Sequence, residues 1–216
     1  ALAGPALAQS PAASPAPSFG ADSITLQTHD SFALSDGVLE AFTAQTGVEV
    51  KVLQGGDAGS MVNQAILAGD RPLADVLFGV DTTFLSRALD AGIFEAYQPA
   101  AMADVPAALQ LDPDGRVTPI DYGDVCVNLD LAAFGGAGQP PLPTSLDDLI
   151  DPAYKGMLVV EDPGTSSPGL AFLLATIARY GDTGETTWRD YWTALRANDV
   201  LVAADWSDAY FGRFSG

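Results

Sequence analysis

Apolar and polar positions alternate with period two in ITLQTH, residues 24–29, and again in VEVKVLQ, residues 48–54, which predicts two strands. Between them, SDGVLEAFTAQTG places Val38, Leu39 and Phe42 at helical spacing and closes on Gly47, so a capped helix is expected. AGSMVNQAILAG, residues 58–69, predicts a second helix with Gly69 past its end. ADVLFGV, residues 74–80, is a nearly continuous apolar run of the kind a strand shows when both its faces are covered, and TTFLSRALDAG, residues 82–92, reads as a third helix. The order βαβαβα implies a parallel sheet with right-handed crossovers and helices on both faces.

The pattern is less regular afterwards. From Tyr97 to Val117 it predicts surface chain with a short helix, then a strand over TPIDYGDVCVNLD, residues 118–130, and a flexible loop over GGAGQPPLP. TSLDDLIDPAYKG, residues 144–156, reads as a short acidic helix ending at Gly156, and MLVVED, residues 157–162, as a buried strand. Ser167 is expected as an N-cap with Pro168 as first helical residue, where a missing N–H costs nothing. The helix that follows, LAFLLATIARYG, is apolar on all sides and is expected to be buried. Trp188, Tyr191 and Leu195 follow helical spacing in a helix from Thr187 to Ala197 and read as core. A strand LVAA comes next, and then DWSDAY, where Trp206 and Tyr210 are spaced to share one face of a short helix.

This layout decides where chemistry can gather. Parallel strands point one way, so the residues just past them collect along one sheet edge, where open α/β folds bind ligands. Those residues are His29, Asp30 and Ser31, then Gly55, Gly56 and Asp57, then Asp81 and Thr82. Ser31 and Thr82 taken singly read as helix caps; three polar loops converging read as a site. A buried helix must also satisfy its first N–H groups, which hydroxyls or an anionic ligand can do. One hydroxyl would suffice as a cap. Thr165, Ser166 and Ser167 together, among glycines that let a ligand approach the backbone, point to a phosphate or other polar group, although no glycine-rich phosphate-binding pattern accompanies them. Trp206 and Tyr210 either close the edge of a core or stack on a planar or cationic ligand.

Composition narrows the partners. Nine Lys and Arg against 28 Asp and Glu give a formal net charge of −19, which repels nucleic-acid backbones and anionic membrane surfaces and attracts small cations. The chain of 216 residues, 48% of them hydrophobic and 17% charged, can build one substantial domain or two small ones. PALAQ near the start carries the small-x-small pattern of an export cleavage site, so residues 1–8 are expected to be a signal remnant and residues 9–22 a Pro/Ala/Ser-rich linker. No stretch is apolar for long enough to span a bilayer. A single cysteine, Cys126, excludes an internal disulfide, and with one histidine it excludes a clustered zinc site; buried packing is its expected role.

THDSF (28–32), ADVLFGVD (74–81), PIDYGDV (119–125), SLDDLIDPAYKG (145–156), EDPGTSSPGL (161–170) and DWSDAY (205–210) resemble, in order and spacing, the extracytoplasmic thiamine-binding receptors of ABC transporters. SLDDLIDPAYKG is shared with many type II periplasmic binding proteins and so argues for fold. GVD, DPGTSSPG and DWSDAY are more specific to the thiamine group. The resemblance runs from about Ser23 to the last residue. It implies an α/β, type II periplasmic-binding-protein-like fold with two lobes, 23–122 and an incomplete 123–216, and a ligand cleft between them.

The resemblance also implies roles for individual residues. Asp57 corresponds to an acid lining the thiamine pocket, with Asp81 a second candidate for meeting the cation. Thr165, Ser166 and Ser167 match the loop at the hydroxyethyl or phosphate end, and Trp206 and Tyr210 match aromatics around the rings. His29, Asp30, Ser31 and Tyr122 complete the expected ligand-binding set. The function implied is capture of thiamine or thiamine phosphate outside the cytoplasm by a monomer and delivery to an ABC transporter permease, with no cofactor, metal or catalysis.

The chain also departs from the family. His29 stands where tyrosine is usual, and Ser35 and Asp36 stand where some relatives carry tryptophan. The family continues well past DWSDAYFGRFSG, so a truncated, weakly binding fragment is expected. A polyamine or ferric iron receptor is the alternative within the class, iron being disfavoured by the lack of a Tyr-Tyr pair. A thiamine-degrading enzyme with Cys126 as nucleophile is the alternative outside it; Asp121 and Asp124 nearby would oppose the thiolate.

Overall fold

A computed structural model describes residues 20–215. The signal remnant expected over 1–8, and the part of the linker that precedes residue 20, lie outside the described residues.

The first half forms β1 (Ser23–Thr28), α1 (Val38–Thr46), β2 (Glu49–Gln54), α2 (Ala58–Ala68), β3 (Val76–Phe78) and α3 (Leu85–Asp90). The sheet has the order β2-β1-β3 and is parallel throughout, with Ser23 opposite Glu49 and Leu26 opposite Val76. β1 is therefore the central strand, and its last residues, Gln27 and Thr28, are fully enclosed. Apolar alternation defines the outer strands less strongly than the sequence predicts. β3 is only three residues long, and Val76 is 47% exposed, so this edge strand is not covered on both faces.

Two 3₁₀ turns, Ala100–Asp104 and Ala107–Leu109, occupy the irregular stretch where one short helix is expected. The predicted strand over 118–130 is absent. Ile120, Tyr122, Val125 and Val127 are exposed, and no strand of the described residues pairs with this segment. Period-two alternation places side chains, but a strand persists only where a neighbour takes up its N–H and C=O groups. Cys126 is consequently exposed rather than packed. The acidic helix expected over 144–156 is also replaced by two 3₁₀ turns, Asp148–Ile150 and Pro152–Tyr154. Pro152 forces Asp151 into extended backbone, which ends the first turn, and the Asp151 carboxylate caps the second.

The second half then builds β4 (Val159–Glu161), α4 (Ser167–Tyr180), α5 (Trp188–Ala197) and β5 (Leu201–Ala203), and ends in a π-helical turn, Asp208–Phe214. β4 and β5 pair in parallel with Glu161 opposite Ala203. The cap of α4 falls one residue earlier than predicted: Ser166 is the N-cap and Ser167 the first helical residue, with Pro168 still in the first turn. α4 is not buried all round either, since Leu174, Ala175, Ala178 and Arg179 face outward. α5 begins with a reciprocal capping box between Thr187 and Asp190.

Two apolar clusters hold these units. In the first, Val62, Phe84 and Ala88 pack α2 against α3, with Leu170 of α4 against them. In the second, Leu149, Tyr191 and Leu195 gather with Phe172, Tyr180 and Trp192, joining α4, α5 and the 3₁₀ turns. Tyr191 and Leu195 are core, as their spacing predicts. Trp188 is only half-buried, and its indole N–H donates to Asp182 at 2.8 Å.

The two halves meet at the first turn of α2. The Thr165 carbonyl accepts the N–H of Gly59 at 2.8 Å and of Ser60 at 3.3 Å, so the turn before α4 supplies partners that the end of α2 would otherwise lack. Only glycine permits this approach: a Cβ on Gly59 would lie 2.5 Å from Phe84 Cζ and 2.7 Å from the Thr165 oxygen. Gly59→Ala should therefore destabilise the protein by about 1–3 kcal/mol despite its better helix propensity. Urea denaturation measures this, and a neutral or stabilising effect would mean that the halves do not meet at Gly59.

Candidate functional site

The loops past β1 and β2 are joined by main-chain bonds, and the one past β3 meets them through the His29 ring. Asp30 N–H donates to Gly56 O at 2.9 Å, and Gly55 N–H to Thr28 O at 2.9 Å. On the other side His29 lies against Gly79, and its ring stacks on Phe78 at 6.1 Å between centroids. Gly79 has φ of 108° and could not carry a Cβ there, because that atom would fall 2.4 Å from His29 Cδ2. His29, Asp30 and Asp57 thus share one rim, as the parallel topology requires, with Ser31 exposed at its outer end.

Asp57 ties this rim to the second half. Its side chain is buried, and one oxygen accepts Ala58 N–H at 2.7 Å as the cap of α2. The other accepts the Trp206 N–H at 3.1 Å, across 149 positions of sequence. Asp57 therefore fixes the start of DWSDAY with respect to β2. Asp81 has a more local role: one of its oxygens accepts from Thr83 N–H, Thr83 Oγ1–H and Phe84 N–H, which forms the turn into α3.

Trp206 and Tyr210 share a face as their spacing predicts. Their rings stack with centroids 4.9 Å apart and planes 6° from parallel, and Phe211 meets both edge-on. Each ring is half-buried. The pair covers one face of each ring with the other and presents a rigid aromatic step with low conformational entropy left to lose.

The hydroxyl loop is more committed internally than its sequence indicates. Thr165 Oγ1 donates to Ala204 O at 2.9 Å. Ser166 Oγ donates to a Glu161 carboxylate oxygen and accepts the Gly169 N–H at 3.4 Å. Of the three hydroxyls expected to meet a ligand, only that of Ser167 lacks a partner, and it is buried. Gln27 Nε2 and Thr28 Oγ1 are also buried without partners, at the end of the central strand. Such groups are costly unless a ligand or water completes them. Tyr122 is not drawn in; at 83% exposure it lies on the unpaired segment. Two open hollows, about 230 and 330 Å³, are lined by other residues, among them Met102 and Asp112 in one and Val127 and Leu146 in the other.

Glu161 and Gly59 belong to this site and escaped the sequence reading. A glycine in the first turn of a helix, with no capping role, signals close backbone approach. Glu161 could have been noticed as an acid closing an apolar strand immediately before the hydroxyls. Burial raises its pKa above the ordinary 4.5; the bond from Ser166 opposes this, and the nearby charges of Asp57 and Asp205 add to it.

The arrangement of two parallel α/β units meeting at strand-end loops, with acids, hydroxyls and stacked aromatics at the joint, is that of the type II periplasmic binding proteins. The solved structure of a periplasmic thiamin binding protein matches with a TM-score of 0.68 at 28% identity, over 94% of this chain and 61% of its own. A model of the bacterial extracellular solute-binding protein family matches residues 71–215, and the chain belongs to that family. The thiamine-binding periplasmic protein of Salmonella typhimurium is 32% identical over 200 residues, covering 90% of this chain and 58% of that protein. The corresponding protein of Brucella suis is 31% identical over 88% of this chain and 54% of its own length. The chain thus spans somewhat more than half the length of these curated relatives.

The raised Glu161 pKa has a consequence for stability. A carboxyl whose folded pKa is raised contributes fully at low pH, where it is protonated in both states, and that contribution is lost as pH rises through the folded value. Glu161→Gln, which does not titrate, should raise Tm at pH 7.5, and the gain should shrink toward zero as pH falls to 4.5. Thermal unfolding across this range provides the check, and a gain independent of pH would exclude ionisation as the cause.

Proposed function

We propose that this chain is the ligand-binding part of an extracytoplasmic receptor that captures thiamine and delivers it to an ABC transporter permease. The observation that carries this reading is the Trp206 and Tyr210 stack, fixed by Asp57 at the joint between the halves, in a chain 32% identical to a thiamine-binding periplasmic protein. Thiamine is an organic cation with two planar aromatic rings and a hydroxyethyl arm. The aromatic step would stack on its rings, Asp57 and Asp81 would supply negative charge, and the Thr165 to Ser167 loop would face the hydroxyethyl arm. His29, Asp30 and Ser31 would line the remainder.

The two lobes are taken as residues 23–122 and 123–216, acting as a monomer. Secretion through an N-terminal signal, of which residues 1–8 would be the remnant, is part of the same reading. Transport needs no chemical step, and the curated relatives named above are binding proteins rather than enzymes. Cys126 is assigned no part in catalysis.

Calorimetric titration with thiamine tests the proposal. One-to-one saturable binding with thiamine recovered intact is expected, and Trp206→Ala should weaken it about tenfold, the scale of one lost stacking contact. Binding of a polyamine in place of thiamine would overturn the ligand, and consumption of thiamine would overturn the receptor.

A further inference from the structure

Glu161 lies where a ligand's anion would compete with it. It is the last residue of β4, half-buried, and it accepts the Ser166 hydroxyl whose oxygen caps α4 through Gly169 N–H. The backbone of Glu161 is pressed against the same turn, because a Cβ on Gly169 would come within 2.5 Å of the Glu161 carbonyl oxygen. The positive end of the α4 dipole is thereby served by a carboxylate of the protein itself.

The charges around Glu161 reinforce this. Asp57 comes from the cap of α2 and Asp205 from the turn after β5, and both act on Glu161 as like charges. Asp162, next in sequence, accepts Gly164 N–H at 2.8 Å. From the π-helical turn packed on β4, Asp208 is already paired with Arg213 at 3.2 Å. Among the described residues no Lys or Arg forms an ion pair with Asp57, Glu161 or Asp205. A dianionic group entering here would meet uncompensated negative charge, although the partnerless Ser167 hydroxyl at the same helix end is chemically suited to it.

We infer that Glu161 is a specificity-determining residue that selects the unphosphorylated cation against phosphate esters by occupying, through Ser166, the anion-receiving end of α4. This rests on the reading of the loop as the end of a thiamine site. Its physical content, exclusion of a tetrahedral dianion by Glu161, can be measured without thiamine. Glu161→Gln keeps the shape and a hydrogen-bonding partner for Ser166 while removing the charge.

The experiment compares the full chain with its Glu161→Gln variant by calorimetry, using thiamine, thiamine monophosphate and, separately, sulfate, whose charge is constant between pH 5 and 7.5. At pH 7.5 the variant should shift the ratio of monophosphate to thiamine affinity about tenfold toward the monophosphate, on the order of the effect of one partly buried like charge. Sulfate binding should strengthen in the variant at pH 7.5. In the unmodified chain it should strengthen as pH falls toward 5, and this pH dependence should flatten in the variant. A purely structural role for Glu161 would change all three ligands together and leave the sulfate pH profiles parallel, which would overturn the inference. An unchanged ratio, or sulfate bound by neither protein at either pH, would also overturn it. If thiamine fails to bind while sulfate behaves as expected, the thiamine reading falls and the role of Glu161 stands.

Discussion

The carbonyl of Thr165 sits on the first free N–H groups of α2, and most of the candidate site is arranged around that contact. A helix end left without partners in a buried place is costly, and here the partner comes from more than a hundred residues later in the chain. The contact requires that residue 59 have no side chain and that residue 165 stand in an irregular turn. It also places Asp57 beside Trp206. One hydrogen-bonded junction thereby sets the relative position of the rim acids, the hydroxyl loop and the aromatic step.

The elements made by local patterning were legible in the sequence. The alternation in β1 and β2, the helical spacing in α2 and the four-residue interval of Trp206 and Tyr210 each carry their outcome within a few residues. Features depending on a distant partner were not. Residues 118–130 alternate as convincingly as β2 but have no pairing strand among the described residues, and Cys126 is exposed with them. Pro152 interrupts a stretch whose acidic and apolar pattern otherwise suits a helix. The hydroxyls of Thr165 and Ser166 read as free ligand donors because their acceptors, Ala204 and Glu161, are brought to them only by the pairing of β5 with β4 and by the tight turn into α4.

The same distinction applies to the acids. Asp57, Asp81 and Glu161 all lie at strand ends, and a sequence gives no reason to rank them. In the folded chain, Asp81 shapes its own turn, Asp57 spans the joint, and the pKa of Glu161 is raised by its surroundings. Burial and like-charge neighbours separate them physically, and these are properties of the assembled loops rather than of the motifs.

The exposed stretch from Ile120 to Val127 has an implication for the protein's solubility. Ile120, Val125 and Val127 are exposed and β-branched, and unpaired strand-forming chain of this kind can template edge-to-edge association between chains. Pro119 precedes it, and Asp121, Gly123 and Asp124 interrupt it. Proline removes a donor, glycine weakens the strand, and the paired aspartates would repel their counterparts on a second copy laid alongside. The residues that make this segment a poor strand would thus also hinder edge-to-edge pairing between copies of this chain.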